Sequence, residues 1–337
     1  MNNRQIVFTA PNAAELLEVP MPVPGEGQVV VRTAVSTVSS GTERANLSGD
    51  PNVSPTRITP EAIFPRYPGY SLSGVVESVG ERVTGLAPGD RVAVNWGKHA
   101  RFVCVDQINV HRIEDDSVSF SAAALAFIAS FPLAAIRKCR LEIGESALVM
   151  GLGVLGQLGV QLLRAAGACP VIAAAPSPGK RERALTLGAD LALDPTAEDF
   201  AARGKEATHG GANVALEVTG AGSALNNVLD GMAKMGRVAL LGCTRDSDFT
   251  VDYYHKVHGP GISLIGAHTK ARPVYESSPG LWTHHDDITA ILRLDAAGRI
   301  DLENFVQEVH PPEDAEAVYR RLLTERSFPV VQFDWRE

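Results

Sequence analysis

Hydrophobic and polar positions in the first hundred residues alternate in short runs separated by turn residues, a pattern that predicts strands. "QVVVRTAVSTVSS" follows the proline-rich "PMPVPGEG" and reads as an extended apolar strand. "YPGYSLSGVVESVG" reads as a strand with glycine corners, and "LAPGDRVAVNW" as a turn feeding another strand. From Ser117 the rhythm changes. "SFSAAALAFIASFPLAAIRKC" predicts an apolar helix pair interrupted at Pro132, "SALVMG" a buried strand, and "VLGQLGVQLLRAAGA" a helix with apolar residues at helical spacing. "CPVIAAA" and "GKRERALTLGA" repeat the strand and helix, as do "ANVALEVTG", the helix "ALNNVLDGMAKMG" and the strand "RVALLGC". "ISLIGAH" is a further strand. "HHDDITAILRLDAAGRI" and "PEDAEAVYRRLLTER" read as amphipathic helices and "PVVQFDW" as a closing strand. Such alternation predicts an α/β chain: a strand-rich first part, then a doubly wound parallel sheet covered by helices.

A length of 337 residues suits two domains. The net charge of −8 argues against nucleic acid or an anionic membrane as partner, because both are met by a basic face. The N-terminus lacks the apolar core of a signal peptide and no run reaches the roughly 18 apolar residues of a membrane helix, so a cytoplasmic location is expected. Cys104, Cys139, Cys169 and Cys243 are scattered without a C-x-x-C pair. They predict buried free thiols rather than a disulfide framework or a structural zinc.

Gly151 to Gly156, "GLGVLG", lies between a strand and a helix, the setting that turns a glycine pattern into a dinucleotide fingerprint. Gly151 permits the turn, Gly153 lets backbone approach a pyrophosphate, and Gly156 lets helix pack on strand. Val154 and Leu155 open the helix whose N-terminus faces the phosphates. At the end of the next strand, "AAAPSPGKRE" carries no carboxylate to accept from the ribose hydroxyls. Ala175 leaves room there, and Ser177, Lys180 and Arg181 offer a hydroxyl and two cations to a 2′-phosphate, which predicts NADP(H). The competing reading makes Lys180 and Arg181 the solvated first turn of a helix.

"PGEGQVVVRTAVSTVSSGTE", "GVVESVGERVTGLAPGDRVAV", "GLGVLG" and "GRVALLG" together resemble the medium-chain dehydrogenase/reductase family over essentially the whole chain. "SSGTERANLSG" is similar to its zinc-site-depleted alcohol dehydrogenase-like branch, which contains bacteriochlorophyllide dehydrogenases. The resemblance implies a GroES-like catalytic domain over residues 1–120, a Rossmann domain over 121–268 and a return to the catalytic domain over 269–337. The family's three catalytic zinc ligands match Ser40, Tyr70 and Ala126 here, none of them a ligand type for that metal. The four-cysteine lobe is missing too, because "GDRVAVNWGKHARFVCVD" runs straight between strands. No metal is expected.

The resemblance places Thr42 and Tyr70 beside the reacting oxygen as hydroxyl donors, Glu43 as a residue orienting either, and His99 at the border of the substrate site as acid or base. Other readings stand beside these: Thr42 as a helix cap, Tyr70 as a core ring with a satisfied hydroxyl, His99 as structural. Ser130, Thr219, Gly242 and Cys243 match positions that meet the nicotinamide. "ISLIGAH" resembles the strand through which relatives pair, implying a homodimer. Arg66, Lys270 and Arg272 are candidates for an anionic substrate or plain surface charges. Three functions are consistent with this set: a zinc-independent NADP(H)-dependent oxidoreductase on an alcohol/ketone pair, an NADPH-dependent quinone or enone reductase, and a non-catalytic NADP(H)-binding protein.

Overall fold

Strands form where the period-two pattern lies: β1 (Asn3–Ala10) and β2 (Ala13–Val19) make an antiparallel hairpin, and β3 (Gln28–Thr37) leads into α1 (Ser40–Ser48). β4 (Ser71–Val79), β5 (Arg91–Asn95), β6 (Phe102–Asp106) and β7 (Val110–Arg112) follow. The computed structural model describes residues 2–53, 63–245, 249–325 and 327–336, so residues 54–62 of the proline-rich loop lie outside the described residues. Helices α2 (Phe120–Ala123) and α3 (Ala126–Lys138) come next. The predicted helix break lies at residues 124–125 rather than at Pro132, which sits inside α3. A proline forfeits one helix hydrogen bond. Here the helix is deeply buried and Pro132 faces Gly159, where an added Cβ would lie 3.7 Å from it, so packing keeps α3 continuous.

The next strands and helices alternate: β8 (Ala147–Met150), α4 (Val154–Ala165), β9 (Val171–Ala174), α5 (Pro178–Thr186), β10 (Leu191–Leu193), α6 (Phe200–Ala207), β11 (Ala212–Glu217), α7 (Gly222–Gly231), β12 (Met232–Leu240) and β13 (Ser263–Gly266). "MAKMG" belongs to β12, not to the helix before it. Met232 pairs with Ala212 and the Met235 amide donates to the Pro260 carbonyl, tertiary bonds that override local helical spacing. The chain ends with α8 (His284–Ala296), β14 (Glu308–His310), α9 (Ala315–Thr324) and β15 (Val331–Asp334).

Two compact units result, residues 1–128 with 288–337, and residues 129–287. In the second unit six parallel strands run β10-β9-β8-β11-β12-β13. Numbered within the unit, this is 3-2-1-4-5-6, the order of dinucleotide-binding sheets, and it reverses between β8 and β11, where ligands of such sheets bind. Its core includes Leu148, Met150, Ile172, Leu193, Val228 and Val238. In the first unit β14-β15-β3-β4-β5-β7 form one sheet, with β6 also on β3. One core there joins Ile6, Phe8 and Leu47 to Tyr319, Leu322 and Phe333, so the C-terminal return completes the N-terminal unit. Among the described residues no helix is long and apolar enough to cross a membrane. Only Cys139 of the four cysteines is buried, its thiol pushed up to about 12 by desolvation, whereas Cys169 and Cys243 are exposed.

Candidate active site

In the second unit the chain leaves β8 and turns through Gly151 into α4. Gly151 has a φ of 100°, in the left-handed region. A Cβ on Gly156 would lie 1.8 Å from the Gly151 carbonyl oxygen, so helix and turn close only on a bare backbone. Gly153 caps α4, and nothing lies within 4 Å of where its Cβ would stand. A helix N-terminus with open space at the cap, followed by half-buried Val154 and Leu155, fits a diphosphate.

Thr219, Gly242 and Cys243 reach the same sheet end. A Cβ on Gly151 would come within 2.6 Å of Thr219 Cγ2, one on Gly242 within 2.2 Å of the Gly220 nitrogen, and one on Gly220 within 2.7 Å of the Cys243 oxygen. Glu217, buried at the end of β11, organises this turn by accepting from the backbone of Thr219 at 2.8 Å and Gly220 at 3.1 Å, and it bonds the Thr219 hydroxyl. An acidic residue closing the mostly apolar "ANVALE" was the available signal for it.

After β9, Ala175 is buried and its carbonyl accepts from Arg181 Nη1 at 2.7 Å. The same nitrogen donates to the Pro176 carbonyl at 2.8 Å and to Asp194 at 3.1 Å. Ser177 is the cap residue of α5 but its side chain makes no capping bond, and the first turn of α5 contains no acidic residue. Lys180 and Arg181 are half-buried. Ser130 is fully buried in α3, and its carbonyl accepts from Arg272 at 3.2 Å. Arg272 is itself interior: with Arg137 it holds the fully buried Asp287, at 2.9 and 2.8 Å. Burial pushes the Asp287 carboxyl up and the Arg272 guanidinium down, while their pairing opposes both. Lys138, by contrast, closes a nearby turn through the Gly266 and Ala271 carbonyls.

In the first unit Glu43, His99 and Tyr319 are all buried, in one hydrogen-bonded chain. Trp335 Nε1 donates to Ser36 Oγ at 2.8 Å, and Ser36 Oγ lies 2.7 Å from His99 Nδ1. Ser36 can pass its own proton on to Nδ1, and with only acceptors on the other side of the ring the network assigns His99 the tautomer protonated at Nε2. That nitrogen faces both Glu43 oxygens at 3.3 Å. Glu43 also accepts from the Tyr319 hydroxyl at 2.6 Å and from the Ser39 amide at 3.1 Å. Glu43 and His99 are thus committed to one another inside the unit, with no surface to offer a substrate.

Two hydroxyls remain partly accessible. Thr42 is the third residue of α1, past the cap position, and its hydroxyl makes no hydrogen bond among the described residues. Tyr70 is half-buried, its ring set edge-on to Phe127 at 5.4 Å and tilted on Trp96 at 5.9 Å, and its hydroxyl meets Ser39 Oγ. Trp96, in turn, holds a φ of 58°, uncommon for a bulky side chain. Gly69 before Tyr70 has no alternative, because its Cβ would fall 2.0 Å from the His99 nitrogen. Ser71 after it donates to the Ala124 carbonyl at 2.6 Å, the carbonyl that also takes Thr37 Oγ1 at 2.9 Å. Arg66 clasps the end of α1 and the loop beyond through the Ala45, Asn46, Asp50 and Ile63 carbonyls.

Comparison with known proteins finds matches to two parts of the chain. Residues 25–124 match the alcohol dehydrogenase GroES-like domain and residues 154–278 the zinc-binding dehydrogenase domain. An L-threonine 3-dehydrogenase of Pyrococcus abyssi is 30% identical over 68% of this chain and 72% of its own. The chain is a medium-chain dehydrogenase/reductase. A D-guloside 3-dehydrogenase of Escherichia coli K12 is 28% identical to this dehydrogenase/reductase over 70% of the chain and 72% of its own. A solved alcohol dehydrogenase of Escherichia coli CFT073, complexed with NADH, shares the fold at a TM-score of 0.83 and 16% identity, covering 99% of both chains. The molecule is an oxidoreductase of the alcohol dehydrogenase type with a nicotinamide cofactor site.

A catalytic zinc in this dehydrogenase/reductase would need thiolate, imidazole or carboxylate donors. Ser40 and Tyr70 supply hydroxyls, Ala126 is a buried methyl, and Glu43 is spent on Tyr319, His99 and Ser39. Among the described residues no three His, Cys, Asp or Glu side chains form a candidate metal site. The donor set does not fit the metal. His255 pairs locally with Asp252 at 2.9 Å on the exposed surface.

Proposed function

We propose that this chain is an NADP(H)-dependent oxidoreductase that interconverts an alcohol and a ketone without zinc, with Tyr70 as proton donor and Thr42 as a hydrogen bond donor to the substrate oxygen. One observation carries the reading: at two of the family's three metal-ligand positions this chain has hydroxyls in place of ligands, Ser40 and Tyr70, and the phenol is half-buried and hydrogen-bonded. A phenol can stabilise the charge that develops on a carbonyl oxygen and deliver the proton it needs. NADPH, when bound, would supply the hydride. Glu43 and His99 serve in this reading as interior supports rather than as acid and base, because neither presents accessible surface.

The preference for NADP(H) is supported by the first turn of α5. Two cations there, Lys180 and Arg181, oppose the positive end of the helix dipole, an arrangement that an anionic ligand offsets. Arg181 uses one nitrogen on the turn, which leaves Nε and Nη2 for a phosphate, and the Ser177 hydroxyl stands at the helix cap. A second reading, reduction of a quinone or enone, draws on the aromatic wall of Tyr70, Trp96 and Phe127, which suits a flat conjugated substrate.

The deciding experiment is NADPH consumption by EDTA-treated protein on panels of ketones and of quinones or enones, with NADH as control. Turnover of ketones alone supports the first reading, turnover of quinones or enones alone the second, and binding of NADPH without turnover of either removes both. We also propose a homodimer paired through β13, an edge strand whose Leu264 is 40% exposed. Light scattering should give twice the chain mass for the wild type and a monomer for Leu264→Lys. A wild-type monomer would end that proposal.

A further inference from the structure

Ser39 is the cap residue of α1, with φ −89° and ψ 85°, yet its side chain makes no capping hydrogen bond. A serine in that position ordinarily accepts from an amide of the first turn, and helices lose stability without it. Ser39 instead turns its hydroxyl to the phenol of Tyr70, within a site where Ser39 itself is 7% exposed. Its backbone amide is held by Glu43 Oε1 at 3.1 Å, and Glu43 is held by Tyr319 and His99. The hydroxyl that would cap the helix is paired with Tyr70 instead.

We infer that Ser39 is a positioning residue for Tyr70, an inference that rests on the reading of Tyr70 as proton donor. The serine has one hydroxyl proton. Donated to the phenolic oxygen, it makes Tyr70 the donor toward a substrate oxygen and then steadies the phenolate that remains. In the reducing direction a hydride, which the reduced nicotinamide would supply on becoming oxidised, reaches the substrate carbon as its carbonyl π bond breaks. The electron pair moves to oxygen, the phenolic O–H breaks as the alcohol O–H forms, and the phenolate recovers a proton from water. Trp96 and Phe127 fix the plane of the ring, and Ser39 fixes the rotation of its hydroxyl. Glu43, His99 and Tyr319 act one step further back, by keeping the Ser39 backbone in place.

The test compares wild type, Ser39→Ala, Tyr70→Phe, the double variant and Ser39→Thr by steady-state kinetics and thermal unfolding. Expected is a fall in kcat of roughly 10–100-fold for Ser39→Ala, at or below the lower end of general acid effects because the acid itself remains, with KM for NADPH unchanged. The double variant should be no slower than Tyr70→Phe, and Ser39→Thr should recover most of the rate. The Tm loss of Ser39→Ala, about 2–4 °C, should vanish in the Tyr70→Phe background. A kcat within twofold of wild type, or losses that multiply in the double variant, would overturn the inference. If wild type turns over no carbonyl substrate, the functional reading fails by itself, and the unfolding cycle still decides the pairing. A Tm loss equal in both backgrounds marks Ser39 as an ordinary cap and refutes it.

Discussion

Replacing Tyr319 by Phe deletes one hydroxyl from a place that water does not reach. Tyr319 and Glu43 are each 1% exposed, and the phenol donates to Glu43 Oε2 at 2.6 Å. The ring contacts survive the change, with Phe8 edge-on at 4.9 Å and Phe333 at 6.0 Å, so no cavity opens and the loss is confined to the hydrogen bond. A bond to a charged group contributes about 1.5–3 kcal/mol, and the carboxylate left behind keeps only the Ser39 amide and His99. Taking about 2 kcal/mol, Tm should fall by about 4–8 °C in a cooperative unit the size of the first. Thermal and urea unfolding followed by circular dichroism would measure it, alone and in a Glu43→Gln background, where the loss should shrink because the acceptor is neutral. Burial first, and Glu43 second, hold the Tyr319 phenol well above its usual value of 10. The folded state therefore binds that proton more tightly than the unfolded chain. Its contribution is full below pH 10 and lost as pH rises toward the folded value, so the variant should lack this alkaline dependence. A loss below about 0.5 kcal/mol would refute the reasoning, since that is the size of a neutral surface change.

Ala175→Asp places a carboxylate where a ribose phosphate is expected, and should weaken NADPH relative to NADH by at least tenfold (about 1.4 kcal/mol) in fluorescence titrations; an unchanged ratio would displace the ribose pocket. Asp287→Ala strips the acceptor from Arg137 and Arg272 and should destabilise the second unit by about 3–5 kcal/mol in urea, as breaking a buried pair does. Burial, then Arg272, depresses the His284 imidazole from 6.5 to about 3. The folded state resists that proton, so the stability linked to it is full above pH 6.5 and lost as pH falls from there toward 3. His284→Gln should flatten the dependence over that window in unfolding curves, and an unaltered curve would exclude the residue.

The sheet of the second unit was legible from residue spacing alone, because a βαβ alternation with glycines at one turn admits few arrangements, and the strand order then follows from handed crossovers. That Ser40, Tyr70 and Ala126 carry no zinc-ligand side chain was also readable, since ligand chemistry is a matter of residue type. Helix limits near Pro132 and Met232 were not, because burial against Gly159 and pairing with Ala212 outweigh local preference. The arrangement of the candidate site was hidden for a similar reason. Ser36, Ser39, Glu43, His99, Tyr319 and Trp335 are spread over some 300 positions, and nothing in their spacing says that they meet. Sequence named Glu43 and His99 as polar groups with chemistry to offer. Only the folded chain, by packing α9 and the final strand onto the first core, turned both inward and left the Tyr70 phenol half-buried against the buried Ser39 hydroxyl.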